Sequence, residues 1–450
     1  MSNGKQQLRL ANPRRLWSLA LPWMLMLPLI FFAVHGSFSF QNAGYNNAAG
    51  NSSLAGLVPG RSLGLIGYFV IPGVAYGIVG WLLLIHARGV VAEASRMKFL
   101  TVLALLTIAS AIWSQSPLRS AYNGFFYFVD TLFAYYLVVR FDPDELMTLF
   151  TMGCVTISLL NILMIVFYPQ YGIVHTTRSA GAWQGIFLDR TSYAKCLVFL
   201  LSPALVIGRQ SFSPFRVLYV LVIASCILKA KAATPIIVLI AYVAVTGAIF
   251  LAGRLGRKTR LLATAIGIPL SGIFSYVLMN YLPVLFGLLG RDSSLTGRTE
   301  VWTAVIHSII KRPLLGYGYY AYWLGLTGES ANAILSTHWV FGYAHNGILE
   351  IFLQLGTTGV VLFFVTFIQA LKNAAICLRH DRPAGVDWYL GIILLSVFYN
   401  IDEASVVWPN ELLSILYVMA CCGLAKAAAQ IKSTNVPLRE MRYEYDLSPA

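Results

Sequence analysis

Charged side chains are scarce in this sequence, and acidic ones are the scarcest. Asp, Glu, Lys and Arg make up 11% of the 450 residues, with 18 acidic residues against 32 basic ones. Hydrophobic residues make up 58%, more than a water-soluble chain of this length could bury. The scarcity of charge therefore excludes the class of soluble globular proteins and indicates an integral membrane protein.

Cysteine is also scarce, and its distribution excludes two kinds of site. There are six cysteines, none in a CxxC pair, and none lies well inside a predicted outer loop. We therefore predict no disulfide framework, no metal site and no cofactor. The cysteines lie in or beside apolar runs or in a predicted cytoplasmic loop: Cys154, Cys196, Cys226, Cys377, Cys421 and Cys422.

Long apolar runs fill most of the chain and do not alternate with polar residues. A membrane-spanning helix needs roughly 20 apolar residues, whereas strands of a membrane barrel would alternate. We predict an all-α polytopic membrane protein of about twelve transmembrane helices, forming a single membrane domain over residues 1–450. The predicted spans are Leu16–Val34, Leu63–Ile85, Phe99–Ser114, Ala121–Val139, Leu146–Tyr168, Lys195–Gly208, Val217–Leu228, Pro235–Gly253, Leu261–Tyr281, Gly347–Leu371, Trp388–Ile401 and Leu412–Ala429.

The seventh span is too short to cross a membrane comfortably. It is followed by the turn Lys229–Thr234 and by Pro235, which begins the eighth span. The seventh and eighth spans therefore form either two crossing helices or one re-entrant hairpin.

Basic residues are unevenly divided between the two sets of connecting loops. If the N-terminus is cytoplasmic, 21 of the 32 Lys and Arg residues fall on the cytoplasmic side. This excess follows the positive-inside rule and places both termini in the cytoplasm. It also explains the net charge of +14 without nucleic acid. The basic N-terminal stretch and its apolar run are expected to form an uncleaved first span, because a small-residue cleavage site is lacking.

The largest predicted outer loop, Leu282–Asn346, contains about 65 residues and precedes the tenth span. Within it, Thr296–Pro313 has apolar residues at helical spacing, which predicts an amphipathic helix at the outer interface. Arg298 would stand at the N-terminus of that helix. A guanidinium and free backbone N–H groups together favour a phosphate there, although Arg298 could instead pair with Asp292 or Glu300.

His345 is the candidate base, because it lies at the predicted boundary between membrane and water. The local sequence is Ala344-His345-Asn346-Gly347, immediately before the tenth span. A histidine there can accept a proton from an attacking hydroxyl group near physiological pH. His175, His307 and His338 are interpreted as interfacial residues without a catalytic role.

Three stretches follow one another in Ser293–Phe363: SSLTGRTEVW, KRPLLGYGYYAYW and AHNGILEIFLQLGTTGVVLF. In this order they resemble the O-antigen ligase and polysaccharide polymerase superfamily of bacterial envelope proteins, and most of all its exopolysaccharide polymerase branch. WSQSPLRSAYNG after the third span is a looser match, and WQGIFLDRTSYAK before the sixth span fits the second outer loop of that family.

The resemblance implies a metal-independent glycosyltransferase at the outer face of the bacterial inner membrane. Its donor would be an oligosaccharide on undecaprenyl diphosphate, and its partners would be membrane lipids and other polysaccharide assembly proteins. By resemblance, His345 matches the catalytic histidine of the family, Arg298 matches an essential arginine, and Arg190 matches a basic residue of the second outer loop. Further residues implied in substrate binding are Lys195, Arg178, Lys229, Lys231, Asn346 and Tyr317.

The sequence departs from the family pattern in three places, one of which is Gln354, where relatives often have an acidic residue. The second outer loop commonly has His-Lys-Asn where this chain has Asp189-Arg190-Thr191, so Lys195 and Arg178 compete with Arg190 for the assignment. The turn after the seventh span has two lysines, Lys229 and Lys231, which either contact phosphate or anchor the membrane interface. Asp402 and Glu403 either pair with an arginine or assist proton removal.

Three alternatives for the function remain open at this level. A polymerase adds glycan to another lipid-linked oligosaccharide, an O-antigen ligase adds it to lipid A core, and a third kind of relative glycosylates protein. A twelve-span transporter belongs to a different class. Transporters built from inverted repeats should show matching features in both halves. Here the basic loop Gly253–Lys258 has no counterpart in His86–Lys98, which favours an enzyme.

Overall fold

The described part of the chain is a bundle of α-helices. In the computed structural model, the structure describes residues 13–35, 70–175, 179–207, 214–256, 258–259, 262, 265–267, 298–337, 342–379 and 385–434. Within these ranges there is no β-strand, and a single isolated bridge joins Ile173 to Trp183. The all-α prediction is therefore confirmed for the described residues.

Most of the described helices lie in predicted apolar runs. The described helices of more than one turn are α1 (Pro13–His35), α2 (Ile71–Ile85), α3 (Ala87–Arg96), α4 (Lys98–Ala109), α5 (Pro117–Arg140), α6 (Pro143–Phe167), α7 (Arg190–Ile207), α8 (Pro214–Lys229), α9 (Ala233–Leu255), α10 (Arg298–Lys311), α11 (Ser330–Thr337), α12 (Gly347–Arg379), α13 (Val386–Asp402) and α14 (Leu412–Thr434). The predicted ninth span, Leu261–Tyr281, lies outside the described residues except for 262 and 265–267.

Three described helices are long and apolar enough to cross a membrane singly, namely α6, α12 and α14. Helices α2 and α3 would make a fourth span if the bent pair were one crossing. Shorter apolar segments lie in α1, α4, α9 and α13. The structure is thus that of a helical membrane protein, while the count of twelve spans stays a prediction.

Helix α14 lies at the centre of the bundle and packs against α5, α12 and α13. Its side chains from Leu412 to Leu424 are buried almost without interruption. Peripheral helices instead expose large apolar side chains, such as Leu84, Ile112, Leu118 and Phe215. Such an exposed apolar belt is unsuited to water and suits the hydrocarbon core of a membrane.

Helices α2 and α3 meet at a bend of 86°, although the sequence analysis treats His86–Lys98 as a loop. The Nδ1 atom of His86 lies 3.1 Å from the Leu82 carbonyl oxygen, and the His86 ring packs 5.1 Å from that of Tyr136. Helix α3 buries Val90 and Glu93 while Arg88 and Arg96 remain exposed. A polar, strongly amphipathic helix set across the end of a span is typical of a membrane interface.

Helices α8 and α9 are joined by a tight turn of three residues. Lys231 in this turn has a positive φ of 52°, and its backbone N–H donates to the Leu228 carbonyl. Helix α8 has 16 residues and α9 has 23, so the pair keeps the unequal lengths predicted for the seventh and eighth spans.

Helix α12 is broken at Gly356, where the sequence analysis predicts a continuous tenth span. Gly356 has φ 64° and ψ −163°, a conformation that is accessible in practice only to glycine. The N–H groups of Tyr317 and Gly318 donate to the carbonyls of Leu353 and Gln354, at 2.8 and 3.0 Å. The N–H of Thr357 donates to Pro313. Backbone groups released by the break are therefore satisfied by the segment 313–318.

Candidate active site

His345 is held by the residues on both sides of it. Its own φ is 49°, a left-handed conformation that is uncommon for a residue other than glycine. Both backbone polar groups of Ala344 are bonded: its N–H donates to Glu350 Oε2 at 2.7 Å, and its carbonyl accepts from Trp302 Nε1 at 3.0 Å. A strained backbone persists only where its surroundings fix it, and such positions cluster at functional sites.

Asn346 begins helix α12 and fixes the other side of His345. Its Oδ1 accepts from the N–H groups of Ile348 and Leu349, both at 3.0 Å, so Asn346 is the N-cap residue. Its Nδ2 donates to the Ile401 carbonyl at 3.3 Å. Asn346 is a predicted substrate-binding residue. In the structure its side chain makes these three hydrogen bonds within the protein, and substrate binding stays a prediction.

Glu350 is a buried carboxylate one turn into α12, and it accepts three hydrogen bonds. Besides Ala344 N–H, the indole of Trp323 donates to it at 2.8 Å and the amide of Gln354 at 2.7 Å. Gln354 in turn accepts from the Tyr320 N–H at 3.1 Å. A buried carboxylate is tolerated when its oxygens are satisfied in this way. Glu350 thus ties the residue before His345 to the segment that contains Tyr320 and Trp323.

A row of aromatic rings leads from His345 to Arg119. The His345 ring lies 4.1 Å from that of Tyr343, which lies 6.5 Å from Trp408. Trp408 lies 4.7 Å from Tyr320, and the Arg119 guanidinium lies 6.0 Å from the Tyr320 ring. The Arg119 Nη1 also donates to the Trp323 carbonyl at 3.2 Å. The row places an arginine on the same side of the bundle as His345.

Lys195 lies in a small buried pocket between α7 and the loop before α14. Its ammonium lies 3.1 Å from Glu411 Oε1 and donates to Ser405 Oγ at 3.2 Å. The N–H of Ser405 donates to Asn400 Oδ1 at 3.4 Å. A Cβ added to Gly347 would lie 2.2 Å from that same Asn400 oxygen. Lys195 is thus connected to the start of α12, and so to His345, through contacting residues.

Arg190 and Lys231 come together at the start of α7, and Lys229 lies two residues before Lys231 in the chain. Arg190 donates from Nη1 to the Lys231 carbonyl, and Lys231 Nζ donates to the Ala180 carbonyl at 2.9 Å. Both lysines are exposed. Arg190 is the first residue of α7, and Asp189 caps that helix by accepting from the N–H groups of residues 191 and 192. The cap explains the acidic residue in this loop.

Three further predicted residues are placed less closely, or outside the described part. Arg298 is the first residue of α10, and its side chain lies outside the described part. Arg178 lies outside the described residues, as does the predicted N-cap Thr296–Gly297. Tyr317 is 3% exposed and donates its hydroxyl to the Ser308 carbonyl at 2.9 Å. Burial raises the pKa of the Tyr317 phenol to about 12, so it stays neutral.

The predicted amphipathic helix of the outer loop is confirmed as α10 (Arg298–Lys311). Val301 and Val305 are fully buried, whereas Ile306 and Ile310 are exposed. Only part of the apolar face predicted for this helix is therefore buried in the structure. The buried side packs against α12, and the indole of Trp302 reaches the residue before His345.

Sequence reasoning missed three residues of this region as site residues. Arg119 lies within the quoted WSQSPLRSAYNG stretch, so its positive charge in a predicted outer loop was the available signal. Glu350 lies within the stretch AHNGILEIFLQLGTTGVVLF, but the sequence predicts no role for it in the site. Glu411 precedes a long apolar run and so resembles an ordinary polar residue at a helix start. Among the described residues, no group of three or more His, Cys, Asp or Glu side chains is placed to hold a metal ion.

Known proteins match this chain in the same region. The family model described as O-antigen ligase matches residues 197–364, which include α10, His345 and the break in α12. The exopolysaccharide production protein ExoQ of Rhizobium meliloti (strain 1021) is 23% identical over 360 residues, covering 76% of this chain and 80% of the relative.

A second relative is similar over a shorter stretch. A Rickettsia prowazekii (strain Madrid E) protein, named provisionally as a polysaccharide ligase, is 30% identical over 139 residues. The match covers 28% of this chain and 34% of that relative. Together these similarities confirm the resemblance inferred from the motifs. Residues 197–364 match the O-antigen ligase family, and the chain resembles the O-antigen ligase and polysaccharide polymerase superfamily on its exopolysaccharide side.

Proposed function

We propose that this chain is a glycosyltransferase that polymerises glycan from undecaprenyl diphosphate-linked donors at the outer face of the bacterial inner membrane. An acceptor hydroxyl oxygen attacks the anomeric carbon of the donor, and the bond between that carbon and the diphosphate oxygen breaks. The lipid diphosphate leaves with the bonding electrons, and the hydroxyl proton passes to His345. The family resemblance supports a polysaccharide polymerase or ligase, and the finer chemistry is our proposal.

The observation that carries the proposal is the fixed backbone around His345. Ala344 is bonded at both its N–H and its carbonyl, and Asn346 caps α12. The imidazole of His345 is therefore presented from a rigid frame at the first turn of an apolar helix. A general base must lie within hydrogen-bond reach of the proton it removes, so such a frame suits proton transfer.

Basic side chains in this region would neutralise the diphosphate as it leaves. Lys195 is connected to the start of α12, and Arg119 is connected to His345 through aromatic rings. Arg190 lies at the N-terminus of α7, which Asp189 already caps, and Arg298 lies at that of α10, where backbone N–H groups also favour an anion. Arginine binds phosphate through two parallel N–H groups, which suits a clamp that works without a metal ion.

The proposed orientation puts both termini and α3 in the cytoplasm, with loop 282–346 in the periplasm and about twelve crossings in all. Exposed Arg88 and Lys98 lie near the start of α4. The residues after α4 instead contact the outer-loop segment, because Trp113 Nε1 donates to the Leu315 carbonyl at 2.8 Å. The basic end and the His345 end are therefore opposite ends of α4, as the positive-inside rule would require.

For the acceptor, we propose another lipid-linked oligosaccharide, which makes the chain a polymerase. The support is the similarity to a protein named for exopolysaccharide production over 80% of that relative. The alternative is a ligase acting on lipid A core, favoured by the shorter match to the Rickettsia relative. The proposed partners are the lipid-linked oligosaccharide and other proteins of polysaccharide assembly.

The test is to follow polymer growth by the full-length protein in liposomes that contain a lipid-linked repeat unit. We expect His345→Ala to lower the rate by about 10²–10⁴-fold, the usual contribution of a general base. His307→Ala is the matched control, because His307 is exposed on α10 in the same loop. We expect the control to keep its activity and the wild type to remain active in chelator.

The outcomes separate the parts of the proposal. Polymer of ordinary length from a folded His345→Ala variant would overturn the role of His345. Transfer only to added lipid A core, with no growth of the lipid-linked unit, would replace the polymerase with a ligase. Loss of activity in chelator, restored by a divalent ion, would overturn metal independence.

A further inference from the structure

A cleft of about 760 Å³ opens between α2, α3, α4 and α5. Most of its wall is apolar, with side chains such as Leu83, Val90, Val102 and Leu132. Leu84 also lines the cleft and is 78% exposed, so the cleft is open to the surroundings of the bundle. In a membrane these surroundings are lipid chains. The volume is within the range of about 300–1,000 Å³ that is usual for ligand sites.

The polar groups of the cleft are satisfied by the protein, with one exception. The Tyr76 hydroxyl donates to Asp130 at 2.8 Å, and the hydroxyls of Ser95 and Thr101 donate to backbone carbonyls, each at 2.9 Å. Lys98 is exposed at the rim. Over the described ranges its ammonium has neither a carboxylate nor a hydrogen-bond acceptor, and lies 5.2 Å from the Phe99 ring.

Among the described residues, Lys98 is the one basic residue that lines the cleft. Arg88 is exposed on α3, next to Ala87, which lines the cleft, but lies near the other end of that helix. A Cβ added to Gly89 would lie 2.7 Å from the Val139 side chain, so α3 crosses α5 close to the end of α5. The cleft therefore combines an apolar groove with one lining cation.

The acidic residues nearby leave Lys98 without an ionic partner among the described residues. Glu93 is buried and pairs with Arg96 at 2.5 Å. Exposed Asp142, Asp144 and Glu145 lie at the start of α6, close after Arg140 in the chain. The cation that lines the cleft and is open to a ligand is therefore Lys98.

We propose that this cleft is a binding site for one anionic glycerophospholipid, with an acyl chain along the apolar wall and the phosphate diester beside Lys98. Basic pockets between membrane helices are known to bind anionic headgroups at the cytoplasmic side, and a basic residue near the surface contributes about 1 kcal/mol to that attraction. The site is separate from the region of His345, because it lies at the opposite end of α4. It is independent of the proposed catalytic activity.

The test compares two lipids with identical acyl chains, phosphatidylglycerol and phosphatidylcholine. The purified full-length protein in mild detergent is mixed with equal amounts of both, and bound lipids are counted by native mass spectrometry. We expect the wild type to prefer phosphatidylglycerol about fivefold, the ratio that corresponds to one basic residue. Lys98→Gln should reduce the preference to near parity, whereas Lys98→Arg should keep it.

Two matched controls make the result specific. Lys372 is an exposed lysine on α12, away from the cleft, so Lys372→Gln should keep the wild-type preference. Gly80 lines the cleft, and a side chain there would meet open space, so Gly80→Phe should exclude both lipids. Gly77 on the same helix also faces open space but does not line the cleft, so Gly77→Phe should not exclude them.

The outcomes decide between occupants of the cleft. Equal binding of both lipids by the wild type, or an unchanged preference in Lys98→Gln, would overturn the proposal. Displacement of phosphatidylglycerol by an equimolar polyprenyl phosphate would assign the cleft to the carrier lipid instead. Dimers that disappear in Gly80→Phe would assign it to a second copy of the chain. If Gly80→Phe does not fold, the exposed Lys98 variants still decide the question.

Discussion

Lys195 and Lys98 lie near opposite ends of the helix bundle and have opposite surroundings. The ammonium of Lys195 is enclosed, with its side chain 14% exposed, and it contacts Glu411 and Ser405. Lys98 is exposed at the rim of an apolar cleft. A buried cation is costly unless it is paired, whereas an exposed one at a membrane interface interacts with lipid headgroups at little cost. In the two proposals, the same residue type therefore belongs to a fixed site at one end and contacts lipid at the other.

The backbone is also held more firmly by hydrogen bonds near His345 than near Lys98. Around His345, the break in α12, the segment 313–318 and the cap at Asn346 lock several elements together. Around Lys98, the junction of α3 and α4 is held by local hydrogen bonds, from the Thr101 N–H to the Met97 carbonyl and from the Thr101 hydroxyl to the Ala94 carbonyl, both at 2.9 Å. Substitutions should therefore be far more damaging at the His345 end. The following experiments test that expectation, from the largest effect to the smallest.

The largest effect is expected from Gly356→Ala at the break in α12. A Cβ there would lie 2.3 Å from the Leu314 carbonyl carbon, and the backbone conformation is strained for any other residue. We expect a loss of about 4 kcal/mol or more and failure to accumulate in membranes. Gly153→Ala is the control, because a Cβ at Gly153 meets no atom within 4 Å. Normal yield of Gly356→Ala would show that the break is not fixed as described.

The next effect is expected at the buried pair of Lys195 and Glu411. Lys195→Met leaves the Glu411 carboxylate without its ammonium partner and should lower the free energy of unfolding by about 3 kcal/mol. Unfolding in mixed micelles by titration with sodium dodecyl sulfate measures this loss. Combining Lys195→Met with Glu411→Leu should restore most of the stability.

Polymerase activity of that double variant separates packing from substrate binding. If Lys195 contacts the diphosphate, the double variant is stable and still inactive, and that is our expectation. A stable double variant with wild-type activity would assign the pair a structural role alone.

A smaller effect is expected from Glu350→Gln. The shape is kept, but the new NH₂ group faces one of the three donors that now point at the carboxylate. We expect a loss of about 2 kcal/mol in stability and a lower rate of polymer growth, because Ala344 is no longer held beside His345. Glu329→Gln is the control, since Glu329 pairs with Lys311 at the surface, a contact worth at most about 1 kcal/mol. Full activity in Glu350→Gln would separate this network from the site.

The smallest effect is expected at the Lys98 end. Arg88→Gln and Lys98→Gln change exposed side chains that lack partners among the described residues. We expect each to alter the unfolding free energy by less than about 0.5 kcal/mol in a micelle of neutral detergent. A loss above about 1.5 kcal/mol would mean that these residues are part of the packed structure, and the contrast between the two ends would fail.

The helices could be predicted from the sequence because apolar length alone decides where a chain can cross a membrane. The helix α13, Val386–Asp402, differs by two residues at most from the predicted span Trp388–Ile401. Helix α3 was missed because His86–Lys98 is polar, and its packing against α5 cannot be read from the sequence. The break at Gly356 was missed for a related reason. The partners of its backbone groups lie about 40 residues earlier in the sequence, and no local pattern specifies them.

The candidate site could be predicted in its residue types but only partly in its connections. His345 stood out as a histidine at a membrane boundary, and Lys195 as a cation beside an apolar run. Their connection runs through Asn400 and Ser405, which are polar residues of no distinctive pattern. Glu411 and Arg119 acquire meaning only from the side chains that they contact in the folded chain.

The break at Gly356 also sets an order for the assembly of the protein. In hydrocarbon, an unpaired backbone carbonyl or N–H group is costly, and the groups at the break are satisfied only by residues 313–318. That segment lies in the loop that must first be translocated across the membrane in the proposed orientation. Helix α12 therefore reaches its final shape only after translocation of the loop, and the same docking step brings Trp323 and Trp302 to the residues that hold His345. Under the proposed orientation and function, a chain that is still being inserted therefore has no completed His345 site.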